Sequence, residues 1–146
     1  MKKDNSSNGL LTSGKIIKNT YDVDCLIGTG AFGEVYRVKH KFLGYQALKV
    51  LKPGILKETE QANFINEATI LSNITHPNVV RVYDANSFRL DKKIIYFISM
   101  EYVSGESLMR MLERKTKLSF NVAMSIQRDI CAGLALAHEN SPPILH

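Results

Sequence analysis

The stretch that decides the fold is Gly28-Thr29-Gly30-Ala31-Phe32-Gly33-Glu34-Val35. Three glycines at this spacing allow a tight turn and a close approach of the backbone to a phosphate group. Dinucleotide-binding folds use the same spacing, but there a helix begins at the third glycine. Here the chain continues as Glu34-Val35-Tyr36-Arg37-Val38-Lys39, which alternates and is rich in strand formers. The glycines are therefore predicted to join two strands, as a flap over the phosphates of a nucleoside triphosphate.

Composition and charge are those of an ordinary globular protein. The chain has 45% hydrophobic residues and a net charge of +5. Its length of 146 residues suffices for one domain or one lobe of a larger one. The locally basic stretch 110–117 is interpreted as a solvated helix face and loop, so no nucleic-acid partner is predicted. Two cysteines far apart in sequence, Cys25 and Cys131, form no metal-binding spacing and no disulfide framework. This usage favours a reducing compartment.

The sequence also lacks the marks of a targeted or membrane-spanning chain. Residues 1–19 are polar and rich in Asn, Ser, Gly and Lys, so they are predicted to be a flexible leader without the apolar region of a secretory signal. The longest apolar-rich run, 94–103, is too short to cross a bilayer. A cytoplasmic protein with no membrane segment is expected.

Periodicity predicts an α+β fold rather than alternating strands and helices. Strands are expected from residue 21 to the glycine turn and over 34–40, 45–51, 79–88 and 94–103. One helix is predicted over 58–74, between the third and fourth strands. Two more helices are predicted over 107–114 and 120–139, with Ser119 as the N-cap of the second and 141–143 as its end. The result is a five-stranded antiparallel sheet with one helix, followed by further helices.

A lysine on the third predicted strand is a candidate for binding phosphate. Ala47 and Lys49 are two residues apart and therefore point to the same face of the sheet. The small alanine leaves room for a flat base, and the ammonium group reaches phosphate oxygens as a point charge. Taken without its surroundings, Lys49 would be interpreted as an exposed lysine of an edge strand.

An acidic residue on the first predicted helix is a candidate partner of that lysine. Glu67 lies three residues after Phe64 and four before Leu71, on the apolar stripe of the helix. A buried carboxylate is costly unless it is paired, and Lys49 is the economical partner. The alternative is an exposed glutamate at the margin of the stripe.

Together these motifs resemble the N-terminal part of a eukaryotic-type protein kinase domain. The glycine-rich stretch, Ala47-Leu48-Lys49, Glu67, the turn His76-Pro77-Asn78-Val79-Val80 and Met100-Glu101-Tyr102-Val103 occur in the family's order. The resemblance covers about residues 20–146. It implies a flexible leader over 1–19, an N-lobe over 20–100, a hinge over 101–106 and the start of a C-lobe over 107–146.

The resemblance also implies roles for individual residues. ATP is the expected ligand, and Lys49 and Glu67 are the expected catalytic residues, with Glu67 positioning the lysine. Met100 would be the gatekeeper, the backbone of Glu101 and Val103 would bond the adenine edge, and Leu71 and Val82 would join an internal apolar stack. The complete set of implied nucleotide-binding residues is Ile27, Gly28, Thr29, Gly30, Ala31, Phe32, Gly33, Val35, Ala47, Lys49, Met100, Glu101, Val103 and Ser107.

The family's catalytic loop opens at a histidine that matches His146, the last residue. The catalytic aspartate and the ligands of Mg²⁺ would follow it in the family, so no metal ligand is predicted within the sequence and the chain alone is expected to be inactive. The apolar residues of 120–139 spread over much of that helix. In a whole kinase the rest of the C-lobe would cover them, so we expect them to be exposed here. The chain is therefore expected to be poorly soluble, to be truncated from a longer reading frame, or to be completed by a partner.

The resemblance implies that the chain is the ATP-binding portion of a serine/threonine kinase, which would phosphorylate a protein substrate when complete. A non-catalytic pseudokinase, acting as a nucleotide-binding or protein-interaction module, remains an alternative. Serine/threonine specificity rests on the resemblance of 134–138 and 142–146 to bacterial kinases. A dinucleotide-binding oxidoreductase domain is disfavoured, since the chain lacks a helix after Gly33 and offers Lys49 where an acid is needed.

Overall fold

The computed structural model of the protein describes residues 9–115 and 117–139. The chain divides into two compact units, of which one comprises Met1–Asn73 with Val82–Tyr102 and the other Ile74–Arg81 with Val103–His146. Residues 74–81 belong to the second unit, whereas the domain boundaries predicted from sequence assign them to the first. The predicted helix end at 141–143, the histidine at 146 and residues 1–8 of the predicted leader lie outside the described residues.

The first unit contains a six-stranded antiparallel sheet with the strand order β1-β2-β3-β4-β6-β5. Short turns connect neighbouring strands from β1 to β4, and α1 lies in the chain between β4 and β5. The strands are β1 (Ile16–Ile17), β2 (Tyr21–Thr29), β3 (Gly33–His40), β4 (Gly44–Leu51), β5 (Val82–Leu90) and β6 (Lys93–Glu101), and the helix is α1 (Glu58–Ser72). The predicted α+β class and the position of the helix after the third long strand are confirmed.

One face of this sheet carries the main hydrophobic core. Successive residues of a strand point to opposite faces, and every second residue of the central strands is buried. The cluster combines β2, β3, β4 and β6 with two residues that precede β2: Leu11, Ile17, Tyr21, Val23, Tyr36, Val38, Leu48, Val50, Ile95 and Phe97. The opposite face is left free for α1 and for the candidate site.

The prediction of a flexible leader over 1–19 is wrong for residues 9–19. Leu11 is 5% exposed and Ile17, in β1, is 1% exposed. The backbone N–H of Leu11 donates to the Tyr36 hydroxyl at 2.9 Å, and that of Leu10 donates to Oε2 of Glu34 at 2.7 Å. The segment is therefore a sixth strand and a cover for the core. Its polar composition masked two apolar pairs, Leu10-Leu11 and Ile16-Ile17.

Helix α1 packs on the face opposite the core. Its Phe64 ring meets the Tyr96 ring of β6 edge-on, with 5.9 Å between ring centroids. The Tyr96 hydroxyl donates to Oε1 of Gln61 at 2.6 Å, and Ala68 is buried. These contacts hold the helix beside the strand that leads to the predicted hinge.

The second unit contains α2 (Leu108–Lys115) and α3 (Phe120–Glu139). The predicted N-cap at Ser119 is confirmed, because Val122 donates its backbone N–H to Oγ of Ser119 at 3.4 Å. Gly133 is buried, and a Cβ there would lie 3.0 Å from Cγ2 of Val79, so α3 packs closely on the segment 74–81. Among the described residues no helix is long and apolar enough to cross a membrane.

Both helices of the second unit expose apolar side chains. Phe120 is 77% exposed and Met109 68% exposed. The other exposed large apolar residues of α2 and α3 are Leu108, Leu112, Val122, Met124 and Ile130. The exposed apolar surface expected for the 120–139 helix is thus present.

Candidate functional site

The glycine-rich stretch forms the tip of the hairpin between β2 and β3. Gly28 pairs with Val35 and Thr29 pairs with Glu34, and the backbone N–H of Gly30 donates to the carbonyl of Gly33 at 2.8 Å. The turn therefore consists of residues 30–33. This confirms the predicted strand–turn–strand arrangement, and it excludes a helix beginning at Gly33, as a dinucleotide-binding fold would require.

The structure requires a glycine at only one of these three positions. A Cβ on Gly33 would lie 2.3 Å from the carbonyl oxygen of Val50, which is closer than such atoms ever approach. A Cβ on Gly28 would come no nearer than 3.9 Å to Val35, and one on Gly30 no nearer than 3.9 Å to the Gly33 carbonyl. The packing of the chain therefore explains Gly33 alone. Gly28 and Gly30 keep side chains away from the open side of the hairpin.

Strand register places several predicted site residues on one face of the sheet. Val35 of β3 lies opposite Lys49 of β4, and Ala47 of β4 lies opposite Met100 of β6. Residues directly opposite each other in neighbouring strands share a face, and Ala47 and Lys49 share theirs by the alternation of β4. These side chains and Gly28 therefore lie together on the face opposite the core.

The expected pairing of Glu67 with Lys49 is not present. Both residues are exposed, and no ion pair joins them among the described parts of the chain. The reason lies in the orientation of α1, whose buried side chain is Ala68. Each helical residue points about 100° away from the one before it, so Glu67 lies beside the buried stripe and not on it. The predicted burial of Glu67 is therefore wrong.

Lys52 is a residue of this region that sequence reasoning missed. It follows β4 directly, and its backbone N–H donates to the carbonyl of Phe32 at 3.0 Å. Its Nζ donates to the carbonyl of Gly30 at 2.8 Å. Lys52 thus bonds two carbonyls of the glycine turn from the neighbouring strand. Nothing in its local sequence distinguishes it from an ordinary surface lysine, because the contact depends on the register of β3 and β4.

Comparison with known proteins agrees with this geometry. A family model described as the protein kinase domain matches residues 21–146. The chain belongs to the protein kinase family. A probable serine/threonine-protein kinase of Clostridium perfringens is 33% identical over 135 residues, which is 91% of this chain and 19% of that protein. The serine/threonine-protein kinase PrkC of Bacillus subtilis is 32% identical over 129 residues, 87% of this chain and 19% of that protein.

Solved kinase structures resemble the chain in the same way. The crystal structure of the Mycobacterium tuberculosis PknI kinase domain is 31% identical and superimposes with a TM-score of 0.75. The match covers 88% of this chain and 51% of that structure. The chain therefore spans about half of the PknI kinase domain and about a fifth of the length of the curated kinases it matches.

The residues that match the kinase hinge belong to both units. Met100 and Glu101 end β6, and Glu101 pairs with Gln46 in the last pair of the ladder with β4. Val103 and Ser107 belong to the second unit. Oγ of Ser107 accepts the backbone N–H of Arg110 at 3.3 Å, so this side chain caps α2. Its hydroxyl proton remains able to donate a hydrogen bond.

The kinase residues expected in an apolar stack are half-buried in the first unit. Leu71 lies on α1 and Val82 at the start of β5, and Val82 pairs with Met100 of β6. Met100 is thereby paired with β5, which α1 also contacts. No group of acidic, cysteine and histidine side chains suited to a metal ion occurs among the described residues.

Proposed function

We propose that this chain is the ATP-binding portion of a serine/threonine protein kinase. The observation that carries the proposal is the strand register, which sets Val35, Ala47, Lys49 and Met100 on one face beneath the glycine hairpin. Kinases use a glycine-rich strand–turn–strand to cover the phosphates of ATP and a lysine of the following strand to contact them. The family match extends over every one of these elements.

Each part of the face has a role in this proposal. The base lies between Val35 and Ala47, with Met100 beside it and the backbone of Glu101 at its edge. The backbone of the turn, from Ile27 through Thr29, Ala31 and Phe32 to Gly33, covers the phosphates. Lys49 supplies a positive charge that is free to reach a phosphate, since it forms no ion pair with an acidic residue of the described chain. The open space beside Gly28 and Gly30 supports a close approach of the backbone to the phosphates.

In a complete kinase, the proposed reaction moves the γ-phosphoryl group of ATP to a serine or threonine hydroxyl of a protein. The support is the names of relatives, which are serine/threonine-protein kinases. In this family Mg²⁺ neutralises the charge that develops on the phosphates, and its ligands come from motifs that follow the matched residues in sequence. Glu67 would orient Lys49 once α1 turns it toward the strand.

A second candidate is a nucleotide-binding module without catalysis. One observation favours it, namely that Lys49 and Glu67 form no ion pair among the described residues. Active kinases need that pair in place. A binding module does not need it, because the glycine turn and the lysine suffice to hold phosphates.

The binding role is tested by thermal denaturation of the chain in rising concentrations of ATP with Mg²⁺. A ligand present at about 100 times its Kd should raise the free energy of unfolding by roughly 2.7 kcal/mol. Lys49→Met should lose most of this stabilisation, because the phosphates lose their positive partner. The matched control is Lys93→Met, at the exposed start of β6, which should behave as the wild type does.

Two outcomes would overturn parts of this proposal. Absence of any shift with ATP removes the nucleotide-binding function. An equal shift in the wild type and in Lys49→Met removes Lys49 from the site. Phosphorylation of a protein substrate by a complete kinase that contains this chain, lost in Lys49→Met, separates the kinase from the binding module, which would bind ATP and transfer nothing.

A further inference from the structure

We propose that Arg37 is a positioning residue for the adenine end of the site, and that it acts by holding Tyr102 at the start of the hinge. The proposal rests on the nucleotide-binding function above. It concerns a cluster formed by Arg37 of β3, Asp24 of β2, Tyr45 of β4 and Tyr102, which directly follows β6. These residues all belong to the first unit.

A β-bulge brings the partner of Arg37 into place. Val23 pairs with Val38 and Cys25 pairs with Arg37, so Asp24 is an extra residue in β2. Bulges of this kind redirect a side chain out of the regular alternation. Here Oδ2 of Asp24 lies 2.5 Å from Nε of Arg37. The carboxylate thus holds the guanidinium by its inner nitrogen, and the planar end remains available for other contacts.

That planar end lies close to two tyrosine rings. The guanidinium carbon is 5.2 Å from the ring centroid of Tyr45 and 5.7 Å from that of Tyr102. Both distances are within the range of cation–π attraction. Asp24, and after it the Tyr102 side chain, raise the pKa of Arg37 above its ordinary value. The cluster therefore keeps a fixed positive charge against the ring of Tyr102.

The position of Tyr102 makes this contact important for the hinge. The ladder between β4 and β6 ends with the pair Gln46 and Glu101, so Tyr102 is the first residue beyond the sheet. Strand pairing therefore no longer holds the backbone of Tyr102. In this proposal the contact of its ring with Arg37 holds it instead. Because Tyr102 is bonded to Glu101, whose carbonyl is proposed to accept a hydrogen bond from adenine, the stack orients that carbonyl.

The location of Arg37 fits a role at the base rather than at the phosphates. Arg37 lies opposite Ala47, and Ala47 lies opposite Met100, so the three share the proposed adenine face. Val35, nearer the glycine turn, lies opposite Lys49. A purely structural ion pair would stabilise the sheet and leave all ligands equally well bound. A positioning residue would affect ligands that contain adenine.

The test measures dissociation constants of the chain for ATP with Mg²⁺, adenosine and inorganic tripolyphosphate by titration calorimetry. Arg37→Ala should weaken ATP and adenosine by the same factor, about three- to ten-fold for the loss of one partly exposed cation–π contact. Tripolyphosphate binding should not change. Lys49→Met should give the reverse pattern, with weaker ATP and tripolyphosphate binding and unchanged adenosine binding.

Matched variants distinguish a specific loss of adenosine binding from a general loss of folding. Tyr102→Leu removes the ring and leaves the Asp24–Arg37 pair intact, so it should reproduce the adenosine defect with an unchanged melting temperature. Combining it with Arg37→Ala should add little, because both remove one contact. Arg37→Lys should be intermediate, since lysine keeps the charge without the planar group. Arg89→Ala, an exposed arginine of β5, should bind all three ligands normally.

The outcomes separate this proposal from the one on which it rests. Normal adenosine binding by both Arg37→Ala and Tyr102→Leu, in a chain that binds ATP, would overturn the role of Arg37 and leave the nucleotide site intact. A loss of tripolyphosphate binding equal to that of adenosine would also overturn it, by showing a general structural effect. A wild-type chain that binds neither ATP nor adenosine would overturn both proposals.

Discussion

At the scale of single residues, the glycine turn combines two kinds of requirement that look identical in sequence. Gly33 lies where β3 approaches β4 so closely that the carbonyl of Val50 fills the place of a side chain. Gly28 and Gly30 have no such neighbour. The spacing of the glycines predicted the turn, but the difference among them depends on the register of a strand that is distant in sequence. Only the structure supplies that register.

Alanine substitutions should separate these requirements. Gly33→Ala should lower the free energy of unfolding by about 2 kcal/mol or more, because the two strands must move apart to relieve the overlap. Gly28→Ala and Gly30→Ala should change stability by less than about 1 kcal/mol and should weaken ATP binding. Urea denaturation and ATP titration of the three variants check this. A Gly33→Ala variant as stable as the wild type would show that the Val50 carbonyl does not lie close enough to Gly33 to exclude a side chain.

Lys49 and Glu67 show where residue-level reasoning from periodicity succeeds and fails. Alternation in a strand has only two outcomes, so Ala47 and Lys49 were placed on one face correctly. On a helix a neighbouring residue points about 100° away. The positions of Phe64 and Leu71 therefore show which side of the helix is apolar, but not which residue lies at the middle of that side. The buried residue is Ala68, which leaves Glu67 exposed at the margin.

At the scale of secondary-structure elements, the long strands and helices were predictable and the first strand was not. β1 has only two residues, which is too short to show a period of two. The segment that precedes it is held by tertiary contacts, since residues 10 and 11 bond Glu34 and Tyr36 of β3. Glu34 is only 7% exposed and receives the Tyr36 hydroxyl proton in a hydrogen bond. This pair joins the segment before β1 to the strand that follows the glycine turn.

From the Tyr36–Glu34 pair we predict that the free energy of unfolding falls at alkaline pH. Burial, and after it the hydrogen bond to Glu34, raise the pKa of Tyr36 to about 12 from its ordinary 10.0. A group whose pKa is raised in the folded state contributes fully below its unfolded value and loses that contribution as pH rises through its folded value. The stability that depends on Tyr36 should therefore be constant below about pH 10 and decline between about pH 10 and 12.

The measurement compares urea denaturation of the wild type with that of Tyr36→Phe between pH 8 and 12. The wild type should be the more stable at pH 8, and the difference should shrink across the alkaline window. Tyr45→Phe, an exposed tyrosine of β4, is the matched control. If the difference in the free energy of unfolding between the wild type and Tyr36→Phe stays constant to pH 12, the protonated Tyr36 hydroxyl does not stabilise the contact between residues 9–17 and β3.

At the scale of the whole molecule, the order of motifs predicted the family and the α+β class because each motif occupies a fixed place in one topology. The exposed apolar surface of α3 was also predictable, since its apolar residues spread around the helix. The cover provided by residues 9–17 was not, because its contacts join residues more than twenty positions apart.

The exposed apolar surface of the second unit predicts self-association of the 146-residue chain. Phe120 and Met109 expose most of their side chains, and apolar surface of this kind favours association. Phe120→Glu combined with Met109→Glu should shift the sedimentation profile toward the monomer without lowering the melting temperature, since neither side chain is buried. A wild-type chain that sediments as a monomer at high concentration would contradict this prediction.

The family resemblance begins at residue 21, yet the hydrophobic core begins ten residues earlier at Leu11. A gene cut at the homology boundary would therefore encode a sheet without Leu11 and Ile17 of its core, and with the Glu34 carboxylate deprived of its backbone donor. We expect such a product to aggregate during expression more than the chain that retains residues 9–20. For this chain the limit of evolutionary similarity and the limit of the folding unit are different residues, and only the second is a safe place to cut.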